Sequence, residues 1–252
     1  MGDRFKDKVV IVTGGSRGLG RAMSVGFAAE GAKVVVASRK LESCLAVVSE
    51  IETAGGRAMA QAAHMGNMDD LDALIDASYQ HFGRVDILVN NAGINVALGP
   101  LSDIATAAFD KMIDVNLKGP WYLSSRLAPR MGEHGGGCVI NLLSVAAMIT
   151  PAYSGIYAAT KAGLKALTEV MAQEWAPMNI RVNALAPGSY HSDLTDGAIV
   201  ALPEYATGMV EAALIPRIAE TEEILNPVFY LASESFTTGI TLVADGGLMA
   251  KR

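Results

Sequence analysis

Two residues in Tyr157-Ala158-Ala159-Thr160-Lys161 have the types and the spacing to move a proton. A separation of four places both side chains on one face of a helix, one turn apart. A free phenol titrates near pH ~10, too high for ready exchange at neutrality. A lysine cation within a few ångströms favours the phenolate and lowers that value. A tyrosine so tuned can give a proton to a carbonyl oxygen or take one from an alcohol. The spacing alone also fits an ordinary surface pair, so its weight depends on what surrounds it. Ser144, thirteen residues upstream, is the first candidate neighbour. Its hydroxyl can orient a substrate carbonyl toward the phenol, although a serine there also suits a turn or cap.

A second constellation is Thr13-Gly14-Gly15-Ser16-Arg17-Gly18-Leu19-Gly20, which follows an apolar run and opens a helical pattern. Gly14, Gly18 and Gly20 let the backbone turn tightly and approach a pyrophosphate, whose charge a helix N-terminus stabilises. Ser16 and Leu19 belong to the same loop. The next apolar run ends Ala37-Ser38-Arg39-Lys40, and no acid appears before Glu42. A ribose 2′-hydroxyl calls for an acid there, whereas a 2′-phosphate calls for arginine. Arg39, Lys40 and Arg17 therefore predict NADP(H), with Ser38 beside them. Asn90-Asn91-Ala92-Gly93 offers small residues for close approach of a flat ring, and amides for backbone or ribose.

These groups need elements to hold them. The β-branched run Lys8–Val12 reads as a buried parallel strand, and further strands read at 33–37, 57–62, 86–90, 138–143, 181–185 and 241–243. Helical patterns read at about 18–29, 41–54, 69–82, 105–131 with a break at Gly119-Pro120, 157–175 and 220–232. Such alternation gives an α/β fold, a parallel sheet with helices on both faces, and each motif falls just after a strand, where ligands of such folds sit. No linker or repeat divides the chain, so residues 1–252 read as one domain, with a poorly periodic segment at about 188–218.

The chain has 252 residues, 51% hydrophobic and 18% charged, which is globular composition. A net charge of -6 argues against a nucleic-acid partner. No apolar run has the length of a membrane span, and the N-terminus lacks a signal-peptide stretch. Cys44 and Cys138 form no paired motif, so reduced thiols and a cytoplasmic location are expected. The four histidines form no metal-ligand spacing with acids, and no metal is expected.

Taken together, the chain resembles the short-chain dehydrogenases/reductases. The likeness rests on Thr13-Gly14-x-x-x-Gly18-x-Gly20, Asn90-Asn91-Ala92-Gly93, Asn116, Ser144, Tyr157-x-x-x-Lys161, Pro187-Gly188 and Asp245-Gly246-Gly247. It implies a doubly wound Rossmann fold with a seven-stranded sheet, and hydride transfer between a nicotinamide and a carbonyl or alcohol carbon. It assigns Tyr157 as acid/base, Lys161 to the phenol and the nicotinamide ribose, Ser144 to the substrate, and Asn116 to a relay water in a helix irregularity. Pro187 and Gly188 join the cofactor contacts.

Two departures stand out. Ser189-Tyr190-His191-Ser192 replaces the aliphatic residues usual after Pro-Gly, and His64 replaces the aspartate that usually bonds the adenine amino group. A neutral His64 nitrogen, or the Met65 backbone, is expected to accept that bond.

The segment 188–218 is expected to cover the substrate, with Tyr190, His191, Leu194, Ile199, Tyr205, Met209 and Leu214 on it. Met148, Tyr153, Asn95 and Leu98 complete the expected walls. Mainly apolar walls favour a hydrophobic ketone or its alcohol as the small-molecule partner. A 3-oxoacyl-carrier-protein reductase is the enzyme alternative, with Arg126 and Arg130 as a modest dock. A non-catalytic NADP-binding sensor or scaffold is the alternative of another class. Small residues along the Tyr157 helix and the apolar stretch 238–249 resemble the family's two interfaces and imply a homotetramer.

Overall fold

A computed structural model describes residues 2–192, 195–197, 200, 208 and 210–251. Seven strands join one sheet in the order β3-β2-β1-β4-β5-β6-β7, every neighbouring pair parallel. They are β1 (Val9–Thr13), β2 (Lys33–Ser38), β3 (Arg57–Ala62), β4 (Ile87–Asn90), β5 (Gly137–Leu142), β6 (Ile180–Pro187) and β7 (Thr241–Ala244). The expected fold class is thus present. β1, β4 and most of β5 and β6 are buried, as continuous Val/Ile/Leu runs require when helices cover both faces.

The helices are α1 (Gly18–Ala29), α2 (Leu41–Thr53), α3 (Met68–Phe82), α4 (Thr106–Ile113), α5 (Gly119–Glu133), the single turn α6 (Ala146–Ile149), α7 (Gly155–Trp175) and α8 (Leu225–Ser233). One face of the sheet packs under α1, α2 and α8, where Phe5, Phe27 and Phe229 meet with ring centroids 4.9–5.2 Å apart. The other face packs under α3, α5 and α7 through Leu71, Leu74, Leu123, Leu127, Met131 and Trp175. Asn67 caps α3 by accepting from the Asp69 N–H at 3.1 Å, and Gly83 ends it in the left-handed conformation. Among the described residues, no helix is long and apolar enough to cross a membrane.

A break at Gly119-Pro120 in one long helix is only partly what the structure shows. A π-helical segment, Asp114–Lys118, separates α4 from α5, and α5 begins at Gly119. Pro120 has no N–H to offer the carbonyl four residues back, that of Asn116, which removes a bond that would hold the turn to α geometry. Gly119 is needed because a Cβ there would collide with the Met65 carbonyl oxygen. The wide turn places Asn116 fully buried against the β4 exit.

A chain of polar groups runs through the core beneath these elements. Asn90 Nδ2 donates to Ser124 Oγ at 2.9 Å and to Asn141 Oδ1 at 2.8 Å, and Asn141 Nδ2 donates to Thr168 Oγ1 at 2.9 Å. Asn90 and Asn141 are register partners on β4 and β5, while Ser124 and Thr168 lie on α5 and α7. All four residues are buried, so the bonds are required rather than incidental.

Candidate active site

The sheet reverses its order between β1 and β4, and a cleft of about 450 Å³ opens at the carboxyl ends of the strands around that point. The residue after each of six strands borders it: Gly14, Arg39, Ala63, Asn91, Leu143 and Gly188. Every residue expected to hold the cofactor lines this one cleft: Gly14, Ser16, Arg17, Gly18, Leu19, Gly20, Ser38, Arg39, Lys40, His64, Met65, Asn91, Ala92, Gly93, Tyr157, Lys161, Pro187 and Gly188.

The glycine loop is built against the β4 exit. Thr13 Oγ1 accepts from the Asn91 and Ala92 N–H groups at 3.0 and 3.1 Å, and Asn91 Nδ2 donates to the Thr13 carbonyl at 2.8 Å. A Cβ on Gly20 would overlap the Gly14 carbonyl, and Gly14 itself sits at φ 64. The N-terminus of α1 has no side-chain cap and no acid in its first turn. This cradle fits a pyrophosphate: backbone close to the cleft, glycines where a side chain would fill it, and the positive end of a helix.

At the β2 exit, Ser38, Arg39, Lys40 and Ser43 face the cleft, and neither Arg39 nor Lys40 makes an ion pair among the described residues. Glu42 does not border it. At the β3 exit, the backbone N–H of His64 donates to Asp70 Oδ2 at 2.9 Å, and Gly66 N–H donates to His64 Nδ1 at 3.1 Å. That bond puts the proton of the neutral ring on Nε2. His64 Nδ1 is thus already engaged by a backbone donor, and Met65, the other expected acceptor, borders the same cleft.

The other end of the cleft holds Ser144, Tyr157 and Lys161. Ser144 follows β5 and starts α6; its Oγ accepts the Ala146 N–H at 3.1 Å. Its hydroxyl lies close enough to the Tyr157 phenol to pull that group's pKa down. Lys161 is only 3% exposed; its Nζ donates to the Leu142 carbonyl at 2.7 Å and stands 5.8 Å from the Tyr157 ring centroid.

The expected depression of the phenol does not appear. Burial pushes Tyr157 up to about 12, and the Ser144 hydroxyl offsets only part of that. Burial likewise lowers Lys161 to about 8. Desolvation of the phenolate by burial outweighs what favours it and decides the direction.

Asn116 does not border the cleft directly. Its Oδ1 accepts the Ile94 N–H and its Nδ2 donates to the Ile94 carbonyl, both at 2.8 Å. Nδ2 also reaches Thr160 Oγ1 at 3.3 Å, and Thr160 Oγ1 donates to the Tyr157 carbonyl at 2.7 Å. Asn116 thus ties the loop after β4 to the tyrosine helix.

The expected substrate walls are placed differently from one another. Tyr190 borders the cleft but is 7% exposed and packs in the core below α1 and α8. Met148 packs with Leu143, Leu164 and Ala186 beside the cleft rather than along it. Tyr153 is 57% exposed, at φ 65, and does not border the cleft. Leu194, Ile199, Tyr205 and Met209 lie outside the described residues.

Five lining residues escaped the sequence reading: Ser43, Ile94, Lys111, Val115 and Thr195. Lys111 lies four residues before Val115, another lining residue, so helical spacing from Val115 was the signal available for it.

Residues 8–199 match the family model described as short chain dehydrogenase. Dehydrogenase/reductase SDR family member 4 of Homo sapiens is 35% identical over 248 residues, 97% of this chain and 88% of its own. L-rhamnose 1-dehydrogenase (NAD(P)(+)) of Azotobacter vinelandii is 35% identical over 249 residues, 96% of each chain. Among solved structures, a 7α-hydroxysteroid dehydrogenase in complex with NADH and 7-oxo glycochenodeoxycholic acid matches with a TM-score of 0.92 at 33% identity, over 97% of this chain and 95% of the other.

Proposed function

The chain belongs to the short-chain dehydrogenases, oxidoreductases of CH–OH and C=O groups that use NAD(P)(H), and from that premise we propose an NADP(H)-dependent reductase of hydrophobic ketones, reversible toward their secondary alcohols. The observation that carries this reading is the Ser144–Tyr157 hydroxyl pair at one end of a cleft whose other end is the glycine cradle.

A nicotinamide held there supplies the hydride. Gly14 to Gly20 hold the pyrophosphate, Arg39, Lys40 and Ser38 the adenosine 2′-phosphate, and Lys161 with Asn91 and Gly93 the far ribose. Ser144 orients the carbonyl oxygen. Tyr157, protonated throughout the neutral range, donates its Oη proton to that oxygen as negative charge develops on it. A phenol held near 12 is still a far stronger acid than an alcohol, so the transfer runs downhill in the reductive direction. Lys161 keeps positive charge beneath the phenolate that remains, and Asn116 positions the loop and helix that carry both partners.

Residues 1–252 act as one domain in this reading. Ile94, Leu143 and the edge of Tyr190 are the apolar residues that border the cleft with Ser144. The apolar character of those residues favours a hydrophobic carbonyl compound, and the steroid dehydrogenase neighbour fits that preference. The carrier-protein alternative loses its dock, because Arg126 pairs with Asp72 at 3.4 Å and Arg130 with Asp76 at 2.8 Å. Exposed apolar residues favour a homotetramer: Phe109, Trp121 and Val170 on the α4, α5 and α7 side, and Tyr230, Ile240 and the 99% exposed Phe236 near β7. Light scattering that gives a monomer at micromolar concentration refutes it. Two buried free thiols suit a cytoplasmic protein.

The test is NADPH consumption against a panel of hydrophobic ketones, a 3-oxoacyl thioester and charged sugars. Turnover of the ketones is expected, and reaction with the charged sugars alone overturns the substrate class. Arg39→Asp is expected to lower the NADPH/NADH ratio of kcat/KM by about 10- to 100-fold, the worth of a charge-assisted phosphate bond. An unchanged ratio removes Arg39 from the 2′-phosphate.

A further inference from the structure

The charge of the cleft is at odds with the charge of the chain. The chain carries a net -6, yet the described residues lining the cleft include Arg17, Arg39, Lys40, Lys111 and Lys161 and no carboxylate. Four of these belong to the glycine loop, the β2 exit and the tyrosine helix. Lys111 comes from elsewhere. It lies on α4, one turn before Val115, on the wall that also carries Met65 and His64 from the β3 exit. It lines the same cleft as the β2-exit cations Arg39 and Lys40.

Its neighbours do not neutralise it. Asp114 pairs with Lys118 at 3.4 Å, and Lys111 makes no ion pair or side-chain hydrogen bond among the described residues. An exposed, unpaired lysine at the mouth of a cavity keeps its whole charge for whatever enters.

We propose that Lys111 is a dinucleotide-binding residue that draws the adenylate half of the cofactor into the cleft together with Arg39 and Lys40. This rests on the cofactor reading above. Val115 offers the adenine ring an apolar face one turn below, and the Lys111 stem extends that face while its ammonium attracts the phosphates. The interaction is between exposed charges, so it is modest and screened by salt. Its main effect is on capture: a cleft of one sign raises the local concentration of a polyanion and its on-rate.

The experiment is a titration of NADPH fluorescence with the full-length protein, at low and at high salt, for wild type, Lys111→Ala and Lys111→Arg. The same titrations are run by competition with 2′,5′-ADP and with nicotinamide mononucleotide. For Lys111→Ala, about three- to fivefold weaker NADPH binding is expected at low salt, falling to under about 1.5-fold at high salt. The loss is expected to appear with 2′,5′-ADP and not with the mononucleotide. Lys111→Arg is expected to restore affinity.

Equal affinities at low salt overturn the proposal. So does a loss that persists at high salt, since packing and not charge then accounts for it. So does a loss that follows the mononucleotide. If wild-type protein binds no nicotinamide dinucleotide at all, the cofactor reading itself has failed, which is a different result.

Discussion

Replacing Tyr157 with Phe is expected to lower kcat for ketone reduction by about 10³ and to leave NADPH affinity within about twofold. The substitution removes one oxygen and its proton while the ring keeps its place on α7 between Ser144 and Lys161. General acid catalysis by a positioned group contributes about 10²–10⁴, and the loss should fall in that range. The cradle at Gly14–Gly20 and the cations at the β2 exit stay in place, so binding should persist. A stopped-flow single-turnover measurement at saturating NADPH separates the two quantities. Retention of more than a tenth of the rate means that the proton comes from another group, and the assignment of Tyr157 fails.

The second large effect concerns Lys161 and has two readouts. Lys161→Met is expected to lower kcat/KM by about 10² or more, because the positive charge beneath the phenolate is lost. It is also expected to abolish a pH dependence of stability. Burial lowers Lys161 from 10.5 to about 8, a difference worth about 3 kcal/mol. Below pH 8 the ammonium is present in both folded and unfolded chains, and the folded chain bears the whole cost.

Between pH 8 and 10.5 the folded chain releases this proton while the unfolded chain still holds it. The unfolded state then binds more protons, so stability rises with pH. Wild type should therefore gain up to about 3 kcal/mol relative to Lys161→Met between pH 7.5 and pH 10 in urea unfolding. The raised Tyr157 works in the opposite direction, but only above pH 10 and in both proteins. A constant difference between the two proteins across that window would show that Lys161 is not desolvated. At neutral pH the variant also strands the Leu142 carbonyl that Lys161 now satisfies, which offsets part of any gain.

Much of the architecture was legible because strand and helix periods rest on local chemistry. Apolar runs, Val/Ile-rich in all but β3, matched the seven strands to within a residue or two, and Gly83 and Gly31 marked ends that the backbone requires. The glycine loop and the β2 exit were legible for the same reason. Other features depend on what the chain meets after folding. The direction of the Tyr157 shift follows from burial, which a spacing of four residues does not report. The donor state of His64 is set by Gly66 N–H. Tyr153 and Tyr190 were read as walls from sequence position, yet one faces solvent and the other fills the core. Lys111 was missed because it sits on the helix before the π turn, and only the packing of α4 after folding brings it to the cleft.

The buried chain Ser124–Asn90–Asn141–Thr168 has a consequence for how the sheet assembles. An all-apolar pairing of β4 with β5 would tolerate sliding, because Val and Leu pack about as well one pleat along. With an amide on each strand, displacement of one strand by one residue turns its amide to the other face and strands the donors and acceptors of both without water. At about 1–3 kcal/mol for each stranded group, a misaligned intermediate is penalised before the helices dock. The ladder therefore acts as a proofreading key for the threading of the central strands. Changes at Asn90 and Asn141 should be tolerated only in pairs, since either alone leaves half a lock.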